Sequence, residues 1–285
     1  MPTDPLVFRL HPGGNDNRTA PLDVQLHLVD DDNAESSHHH DTGFVAWPAA
    51  VVLARWLGLH PTLLLRSAAA GNVLELGAGV GLVGLAAALL MQEDASRKTV
   101  DNSDEDDGSG NLIFSDYNPA VLQNLQRNIS LNHLEDCTRV VGLDFFDQQD
   151  SAADCWTDME GMPQPQVPLV LAADVLAYSN DADNVAHTLM AALQTGGTAL
   201  VVSPESRFGV RGFPEACRNL GLTVQVKENL LEIVSFDGPT GEPDTARDNQ
   251  ARLMQDLEKT ISQNHEQGYE YSTLQMFIIE KPLEP

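Results

Sequence analysis

Glycine recurs at every second position of the segment Gly77-Ala78-Gly79-Val80-Gly81, between a short apolar run and a longer run rich in small residues. A turn from a strand into a helix needs glycine where the backbone must pass close to a ligand, because no Cβ intervenes and N–H groups face outward at the helix start. The spacing therefore predicts a cofactor site. Taken alone, it fits a dinucleotide enzyme, a flavoprotein, a methyltransferase or a purely structural turn.

Glu75 narrows the choice of cofactor. It stands on the predicted strand, two residues before the first glycine, whereas nicotinamide enzymes usually place Gly-x-Gly-x-x-Gly directly after an apolar strand. The third glycine of that pattern is also missing, since Leu82 occupies its position. A carboxylate on the strand can meet a cationic ligand, and the methionine part of S-adenosylmethionine carries an ammonium group. These features favour a sulfonium cofactor.

Asp116 ends the second predicted strand. A carboxylate there can accept hydrogen bonds from both ribose hydroxyls, as it does in dinucleotide-binding folds. It follows Gly77 by 39 residues, whereas about 20 is usual. A polar insert at 93–110, which we expect to be a surface loop, accounts for the excess. Capping of the next helix is an alternative role for Asp116, and the two roles are compatible.

The surrounding pattern alternates strands and helices. Two short strands at 6–10 and 24–28 predict an N-terminal β-hairpin, and Pro48 after Trp47 opens a helix. Seven strands are expected from residue 72 onward, and a polar loop at 147–166 precedes the fourth. Alternation of this kind predicts a parallel sheet with helices on both faces. The predicted strands are 72–76, 112–116, 139–143, 167–173, 198–202, 223–226 and 274–279.

Charge limits the classes of partner. The net charge of −26, with only 16 Lys and Arg residues, disfavours nucleic acid, because binding to it depends on neutralising phosphates. A basic protein is favoured instead through long-range attraction. We expect no metal site, since His38, His39 and His40 alternate direction on an extended chain and the three cysteines lie far apart.

No targeting signal is visible. The N-terminus lacks a basic segment followed by an apolar one, and the apolar stretch 73–91 contains Glu75 and four glycines, so we expect no membrane span. Reduced cysteines suit the cytosol. We expect a cytoplasmic protein, with the nucleus left open, and the sequence does not determine its oligomeric state.

Four segments then carry a family resemblance. The segment 73–84, VLELGAGVGLVG, resembles motif I of the seven-β-strand S-adenosylmethionine-dependent methyltransferases, and its Gly-Leu-Val-Gly ending is typical of the family-16 protein methyltransferases. Segments 43–54, 115–128 and 171–176 are similar to other motifs of that family, in the same order. The resemblance implies a Rossmann-like α/β fold with a seven-stranded, mostly parallel sheet. It divides the chain into an N-terminal β extension at 1–43 and a methyltransferase domain at 44–285.

The resemblance also implies roles for individual residues in binding S-adenosylmethionine. Trp47 packs beside the cofactor, and Asp116 takes the ribose. Asp144 meets the adenine amine and Phe145, where many members have Trp, stacks on the ring, while Ala173 lines the pocket. Trp47 and Phe145 could instead be core residues. The methionine portion is contacted by Gly77, Ala78 and Gly79, and Glu75 completes the set.

The predicted catalytic end departs from the family. The fourth-strand motif of the family is Asp-x-x-Tyr or Asp-x-x-Phe, but here the aromatic residue follows one place late, in Asp174-Val175-Leu176-Ala177-Tyr178. Methyl transfer is a direct displacement, so the enzyme mainly aligns a deprotonated nucleophile. A lysine, with a reference pKa of about 10.4, could lose its proton in a dry pocket beside Asp174. We therefore predict Asp174 and Tyr178 as catalytic residues.

The expected function is methylation of a protein lysine by S-adenosylmethionine. The loop 203–213 has some likeness to protein-histidine methyltransferases, so histidine stays open as the acceptor. The Asn-Pro-Pro-Tyr motif of amino-group nucleic-acid methyltransferases is absent. Two further functions stay open, a small-molecule N-methyltransferase and a non-catalytic cofactor-binding interaction protein.

Overall fold

The computed structural model describes residues 5–10, 12, 20–28, 42–100, 110–148, 155–228 and 274–283. The N-terminal hairpin is followed by two helices and then by alternating strands and helices. In chain order the elements are β1 (Leu6–Leu10), β2 (Leu22–Leu26), α1 (Pro48–Leu59), α2 (Pro61–Ala70), β3 (Val73–Leu76), α3 (Leu82–Val100), β4 (Leu112–Asp116), α4 (Pro119–Leu131), β5 (Thr138–Gly142), β6 (Cys155–Thr157), β7 (Pro163–Pro165), β8 (Val167–Ala173), α5 (Asp181–Ala192), β9 (Leu193–Pro204), α6 (Phe213–Asn219), β10 (Thr223–Glu228) and β11 (Leu274–Glu280).

The central sheet has seven strands in the order β10-β11-β9-β8-β3-β4-β5. The five neighbouring strands β9, β8, β3, β4 and β5 pair in parallel, whereas β11 is antiparallel to both of its neighbours. Hydrophobic clusters cover both faces: one includes α1, α3 and the hairpin, and the other includes α5 and α6. The predicted α/β fold, with a mostly parallel sheet of seven strands and an N-terminal hairpin, is confirmed.

The parallel direction of the strands places the candidate site at one edge of this sheet, where their carboxyl ends meet. The carboxyl ends of parallel strands meet at the same edge, and ligands of open α/β sheets bind there. Strands β3 and β4 are neighbours near the middle of the sheet, and both reverse the chain direction through helices on the same face. The glycine turn after β3 and the residues after β4, β5, β8 and β9 therefore surround a single region.

One predicted loop is partly wrong. Residues 93–100 of the polar insert continue helix α3 rather than leaving it. Two ion pairs with i,i+4 spacing stabilise this last part of the helix: Arg97 lies 3.0 Å from Glu93 and Lys98 lies 2.7 Å from Asp94. The polar composition of residues 93–98, which suggested a loop, instead produces a helical segment in which Ser96, Arg97 and Lys98 are exposed. Residues 101–109 of the insert lie outside the described residues.

Three further predictions differ in detail. The predicted strand 24–28 begins and ends two residues earlier, as β2, and helix α2 had no counterpart among the predicted elements. The predicted loop at 147–166 contains the small antiparallel ribbon of β6 and β7, which Trp156 anchors through a hydrogen bond from Nε1 to the Pro165 carbonyl at 2.9 Å.

The histidine run 38–40 falls outside the described residues.

The hairpin is attached by a row of asparagines on α4 and at its C-terminal cap, Asn132. Asn124, Asn128 and Asn132 are spaced by four residues and therefore share one face of the helix. Asn132 Oδ1 accepts from the Gln25 amide at 2.8 Å and its Nδ2 donates to the Gln25 carbonyl at 2.7 Å. Asn128 Oδ1 accepts from the His27 amide at 2.6 Å, and Asn124 Nδ2 donates to the His27 carbonyl at 3.0 Å. Side-chain amides thus pair with the backbone of β2 and of the residue that follows it.

Asn128 also reaches the glycine turn, since its Nδ2 donates to the Val80 carbonyl at 2.8 Å. Removing this buried side chain should lower the free energy of unfolding by about 2 kcal/mol or more, because backbone groups lose their partners. We expect Asn128→Ala to weaken cofactor binding several-fold as well, measured by calorimetry. Asn132→Ala removes the bonds to Gln25 and the bond to the Asn128 carbonyl but none to the glycine turn, so it should lower stability to a similar extent but leave cofactor affinity near wild type. Equal affinities of the two variants would contradict the link between Asn128 and the turn.

No single helix in the described part of the chain has the length and hydropathy needed to cross a membrane. Helices α1 and α2 meet those two criteria only together, as a pair bent by 83°.

Candidate functional site

The glycine turn adopts a backbone that side chains would obstruct. Gly77 and Gly79 have positive φ angles of 60° and 54°, a region that residues with a Cβ rarely adopt. A Cβ on Gly77 would lie 2.8 Å from Val175 Cγ1, and one on Gly79 would lie 3.2 Å from the Gly43 carbonyl oxygen. The turn is therefore packed from both sides, and glycine is required by conformation as well as by space.

Three hydrogen bonds fix the turn to strand β4. The Ala78 amide donates to the Ser115 carbonyl at 2.8 Å, and Ser115 Oγ donates to the Glu75 carbonyl at 2.7 Å. The Gly79 amide donates to Asp116 Oδ2 at 3.1 Å. The ends of β3 and β4 consequently form one rigid unit, which holds Ala78 and Gly79 beside the Asp116 carboxylate.

Asp116 is buried, and backbone amides orient its carboxylate. Besides the bond from Gly79, Oδ1 accepts from the Asn118 amide at 3.0 Å, but the alternative role of Asp116 as the cap of the next helix is wrong, since another residue holds the N-cap position. Asn118 is the N-cap of α4 itself and accepts from the Ala120 amide at 2.8 Å. A carboxylate offers about four acceptor positions, so two amide bonds are compatible with further bonds to a pair of hydroxyls.

Glu75 lies on β3, and its buried carboxylate reaches the first turn of helix α3. Its Oε2 accepts from the Gly84 amide at 3.0 Å, and a Cβ on Gly84 would collide with that oxygen. Burial raises the pKa of Glu75 well above its ordinary value; the Gly84 amide opposes this shift, and the Asp116 charge adds to it. The structure thus gives Glu75 a role in fixing the turn, and its contact with a cofactor ammonium stays a prediction.

The raised pKa of Glu75 has a consequence for stability. The folded chain keeps the Glu75 proton at pH values where the unfolded chain has lost it. The contribution of the protonated carboxyl to the free energy of unfolding is therefore fully present below the unfolded-state pKa and is lost as pH rises through the folded-state pKa. Glu75→Gln can retain the bond from Gly84 without burying a charge. We expect urea unfolding from about pH 4 to pH 8 to show the variant gaining stability relative to wild type. The exposed Glu205→Gln serves as the control, and parallel profiles for wild type and Glu75→Gln would contradict the assignment.

Phe145 borders the glycine turn from the side of β5. It begins a 3-10 turn, is half-buried, and its Cζ would lie 3.4 Å from a Cβ on Gly77. The neighbouring Asp144 accepts through Oδ1 from the Phe146 amide at 3.0 Å. Phe145 thus brings an aromatic side chain close to the turn, with Asp144 next to it in the sequence, and their roles at the adenine stay a prediction.

Asp174 forms an ion pair that the sequence did not suggest. Its two carboxylate oxygens accept from Arg207 Nε at 2.8 Å and Nη2 at 2.7 Å. The Asp174 side chain is 2% exposed and that of Arg207 is 28% exposed. Asp174 also has a positive φ of 59°, and its amide donates to the Val202 carbonyl at 2.8 Å. A strained backbone and a bidentate pair fix this carboxylate between the ends of β8 and β9.

Arg207 extends the cluster to Trp47. The centre of its guanidinium lies 5.4 Å from the centroid of the Trp47 ring, a cation–π distance. Trp47 is half-buried at the N-cap of α1. One side chain therefore links the segment before the first helix to the strand end that carries Ala173 and Asp174.

Tyr178 is placed differently from its predicted catalytic partner. Its side chain is 70% exposed, and its backbone amide donates to Asp181 Oδ2 at 2.7 Å. Within the described part of the chain, the ion pair of Asp174 is made with Arg207. The joint catalytic role of Asp174 and Tyr178 stays a prediction that the geometry does not favour.

Sequence reasoning missed two residues of this region, Arg207 and Asn128. Arg207 lies in a segment singled out only for its likeness to other enzymes, and its partner is 33 positions away, so spacing gives no signal for the pair. Asn128 belongs to a visible four-residue repeat of asparagines, which could have indicated a polar helix face bound to backbone. Groups of three or more potential metal ligands are not found among the described residues.

The chain is similar to known methyltransferases. A family model described as lysine methyltransferase matches residues 30–213. Human protein-lysine N-methyltransferase EEF2KMT is 36% identical over 93 residues, which are 33% of this chain and 22% of that protein. The bovine protein of the same name is 35% identical over 94 residues, 33% of this chain and 22% of that protein. The chain thus matches less than a quarter of the length of these curated relatives.

Solved structures show more distant similarity. A SAM-dependent O-methyltransferase from Thermotoga maritima is 13% identical, with a TM-score of 0.45, over 79% of this chain and 64% of that one.

Proposed function

The chain belongs to the lysine methyltransferase family, and we propose that it transfers the methyl group of S-adenosylmethionine to a lysine side chain of a protein. The observation that carries this proposal is the unit formed by the glycine turn and Asp116. Two glycines with positive φ and a buried carboxylate are locked together by the bond from the Gly79 amide to Asp116 Oδ2 at 3.1 Å.

The residues of this unit fit S-adenosylmethionine, the methyl donor that the family implies. The turn holds the backbone of Ala78 and Gly79 beside the Asp116 carboxylate, which can accept from the ribose hydroxyls, and the methionine portion would lie along that backbone. Phe145 offers an aromatic face for the adenine, with Asp144 beside it and Trp47 and Ala173 on the side of α1 and β8. When bound, the cofactor supplies an electrophilic methyl group on a sulfonium.

The acceptor side is shaped by the pair of Asp174 and Arg207. The carboxylate is engaged by the guanidinium at 2.7 and 2.8 Å, so its main effect is to orient Arg207 over Trp47. A positive guanidinium next to an incoming lysine disfavours the protonated amine, which helps to present a neutral nucleophile. The pair therefore acts by positioning and by charge, and no proton transfer to Asp174 is required.

The names of the relatives favour lysine over other acceptors, since human EEF2KMT is called a protein-lysine N-methyltransferase. The net charge of −26 supports a substrate with a basic surface and argues against nucleic acid. We extend the proposal to a cytoplasmic location, with the nucleus as a second compartment, because the three cysteines are free thiols and reduced thiols suit the cytosol.

Transfer of labelled methyl groups tests the proposal. The purified chain is incubated with tritiated S-adenosylmethionine and a lysate from cells that lack it, and the label is then separated into protein, nucleic acid and small molecules. We expect the label in protein, well above a reaction without the enzyme. Label confined to nucleic acid or small molecules would exclude a protein substrate.

A second candidate function is cofactor binding without catalysis. Tyr178, the aromatic residue of the fourth-strand motif, is 70% exposed. This position favours the second function, because a side chain so exposed does not line a pocket for an acceptor. Calorimetry distinguishes the two functions: tight cofactor binding without turnover on any lysate fraction supports the binding protein.

A further inference from the structure

Exposed large hydrophobic side chains concentrate at the carboxyl edge of the central sheet. Among the described residues eight such side chains are exposed, and six of them lie at this edge. The remaining two, Val7 and Leu283, lie on the hairpin and after β11. We call the six the apolar rim: Tyr117, Phe146, Met159, Met162, Tyr178 and Phe208. Scattered exposed hydrophobic residues need no explanation, but a set on one side marks an interaction site.

The positions of these residues in the fold bring them to the same edge. Tyr117 follows β4, Phe146 follows β5, and Tyr178 and Phe208 follow β8 and β9. Met159 is carried there by the turn between β6 and β7, since its amide donates to the Gly142 carbonyl at the end of β5 at 2.9 Å. The rim therefore surrounds the glycine turn and Asp116.

Two loops of the rim are held together. The Gly209 amide donates to the Leu176 carbonyl at 3.2 Å, and a Cβ on Gly209 would lie 2.6 Å from the Tyr178 carbonyl oxygen. The loops after β8 and β9 are thus packed backbone against backbone. Phe208 is nevertheless 76% exposed, so its ring is presented from a fixed backbone, as binding residues on interfaces are.

Carboxylates alternate with the rim side chains. Asp147 directly follows Phe146, Glu160 directly follows Met159, and Glu205 lies three residues before Phe208; all three are exposed. Of the two arginines in the loop after β9, Arg207 is paired with Asp174 and Arg211 is exposed. Aromatic faces and carboxylates together suit a ligand that carries both cations and apolar groups.

We propose that the apolar rim docks an extended, positively charged segment of the substrate protein, with apolar side chains beside the basic ones, next to the acceptor residue. This inference rests on the proposed function, and it adds the surface and the chemistry by which the substrate is recognised. The occupant is a basic protein segment, because the exposed carboxylates of Asp147, Glu160 and Glu205 beside the rim would repel an acidic one.

The experiment measures binding independently of methyl transfer. A fluorescent peptide of alternating lysine and leucine is titrated with the full chain, and its anisotropy is followed, alongside a peptide with glutamate in place of lysine. We expect the basic peptide to bind and the acidic one not to bind. The double variant Phe146→Ser/Phe208→Ser should weaken binding of the basic peptide about tenfold, as loss of central aromatic contacts does.

Leu283→Ser provides a matched control. Leu283 is as exposed as Phe208, at 76%, but it lies beside Gly196 at the opposite edge of the sheet, so its variant should bind like wild type. Equal affinities of the double variant and this control, equal binding of the two peptides, or no binding of the basic peptide would overturn the proposal. A separate assay of methyl transfer to lysate protein distinguishes the proposed function from the docking surface. If the wild-type chain binds the basic peptide but labels no protein, only the proposed function is contradicted.

Discussion

Asp116→Ala should reduce the affinity of the chain for S-adenosylmethionine by about 100-fold or more. The carboxylate is held in place by the Gly79 and Asn118 amides at 3.1 and 3.0 Å, so it is preorganised to accept from the ribose. Two charge-assisted hydrogen bonds contribute about 3 kcal/mol or more together, which corresponds to roughly 100-fold in a dissociation constant. Calorimetric titration with the cofactor measures this directly.

Two controls separate binding from folding. Asp116→Asn retains one acceptor oxygen and should weaken cofactor binding by a smaller factor, whereas Asp147→Ala removes an exposed carboxylate at the same edge and should leave the affinity for the cofactor unchanged. Thermal unfolding without cofactor shows how far the loss of the two amide partners destabilises the turn. Wild-type affinity in a folded Asp116→Ala variant would contradict the ribose assignment.

Arg207→Met should lower both stability and methyl transfer. Breaking a buried ion pair costs about 3–5 kcal/mol because one charge is left without its partner. The partial exposure of Arg207, at 28%, reduces the expected loss to about 2 kcal/mol. Methylation of lysate protein should fall about tenfold or more, since a shift in the groups that position an acceptor is costly. Urea unfolding and initial rates measure the two effects.

A double variant distinguishes positioning from folding. Asp174→Asn keeps the size of the side chain and tolerates a positive φ, so Arg207→Met/Asp174→Asn leaves no buried charge and should recover part of the lost stability. Methyl transfer should not recover with it. Arg211→Met, in the same loop and exposed, is the matched control. Wild-type transfer by the double variant would show that Arg207 serves the fold alone.

The sheet and the cofactor turn were predictable because their signals are local. The strand from Val167 to Ala173 is one continuous apolar run, and it forms β8 with the predicted bounds. The glycines at 77 and 79 indicated a turn with positive φ angles, which glycine adopts without strain, and their φ angles of 60° and 54° agree. The polar composition of residues 93–100 led to a wrong prediction of a loop. Charged residues are common in loops, but at i,i+4 spacing they also stabilise an exposed helix.

The acceptor side was not predictable from spacing. The motif after β8 suggested a role for Asp174 with Tyr178, but the carboxylate turns toward Arg207, which follows the next strand. Such pairs depend on which strand ends are neighbours in the sheet, and β8 lies next to β9. The link from Asn128 to Val80 spans 48 positions and depends likewise on tertiary packing.

The identity of the methylated side chain tests the central claim most directly. The purified chain is incubated with labelled S-adenosylmethionine and protein from cells that lack it, and the labelled protein is hydrolysed to amino acids. We predict that the label is recovered as methylated lysine with the wild-type chain and is lost with Asp116→Ala. Label in methylated histidine would contradict the lysine assignment, and equal labelling by wild type and Asp116→Ala would contradict the site.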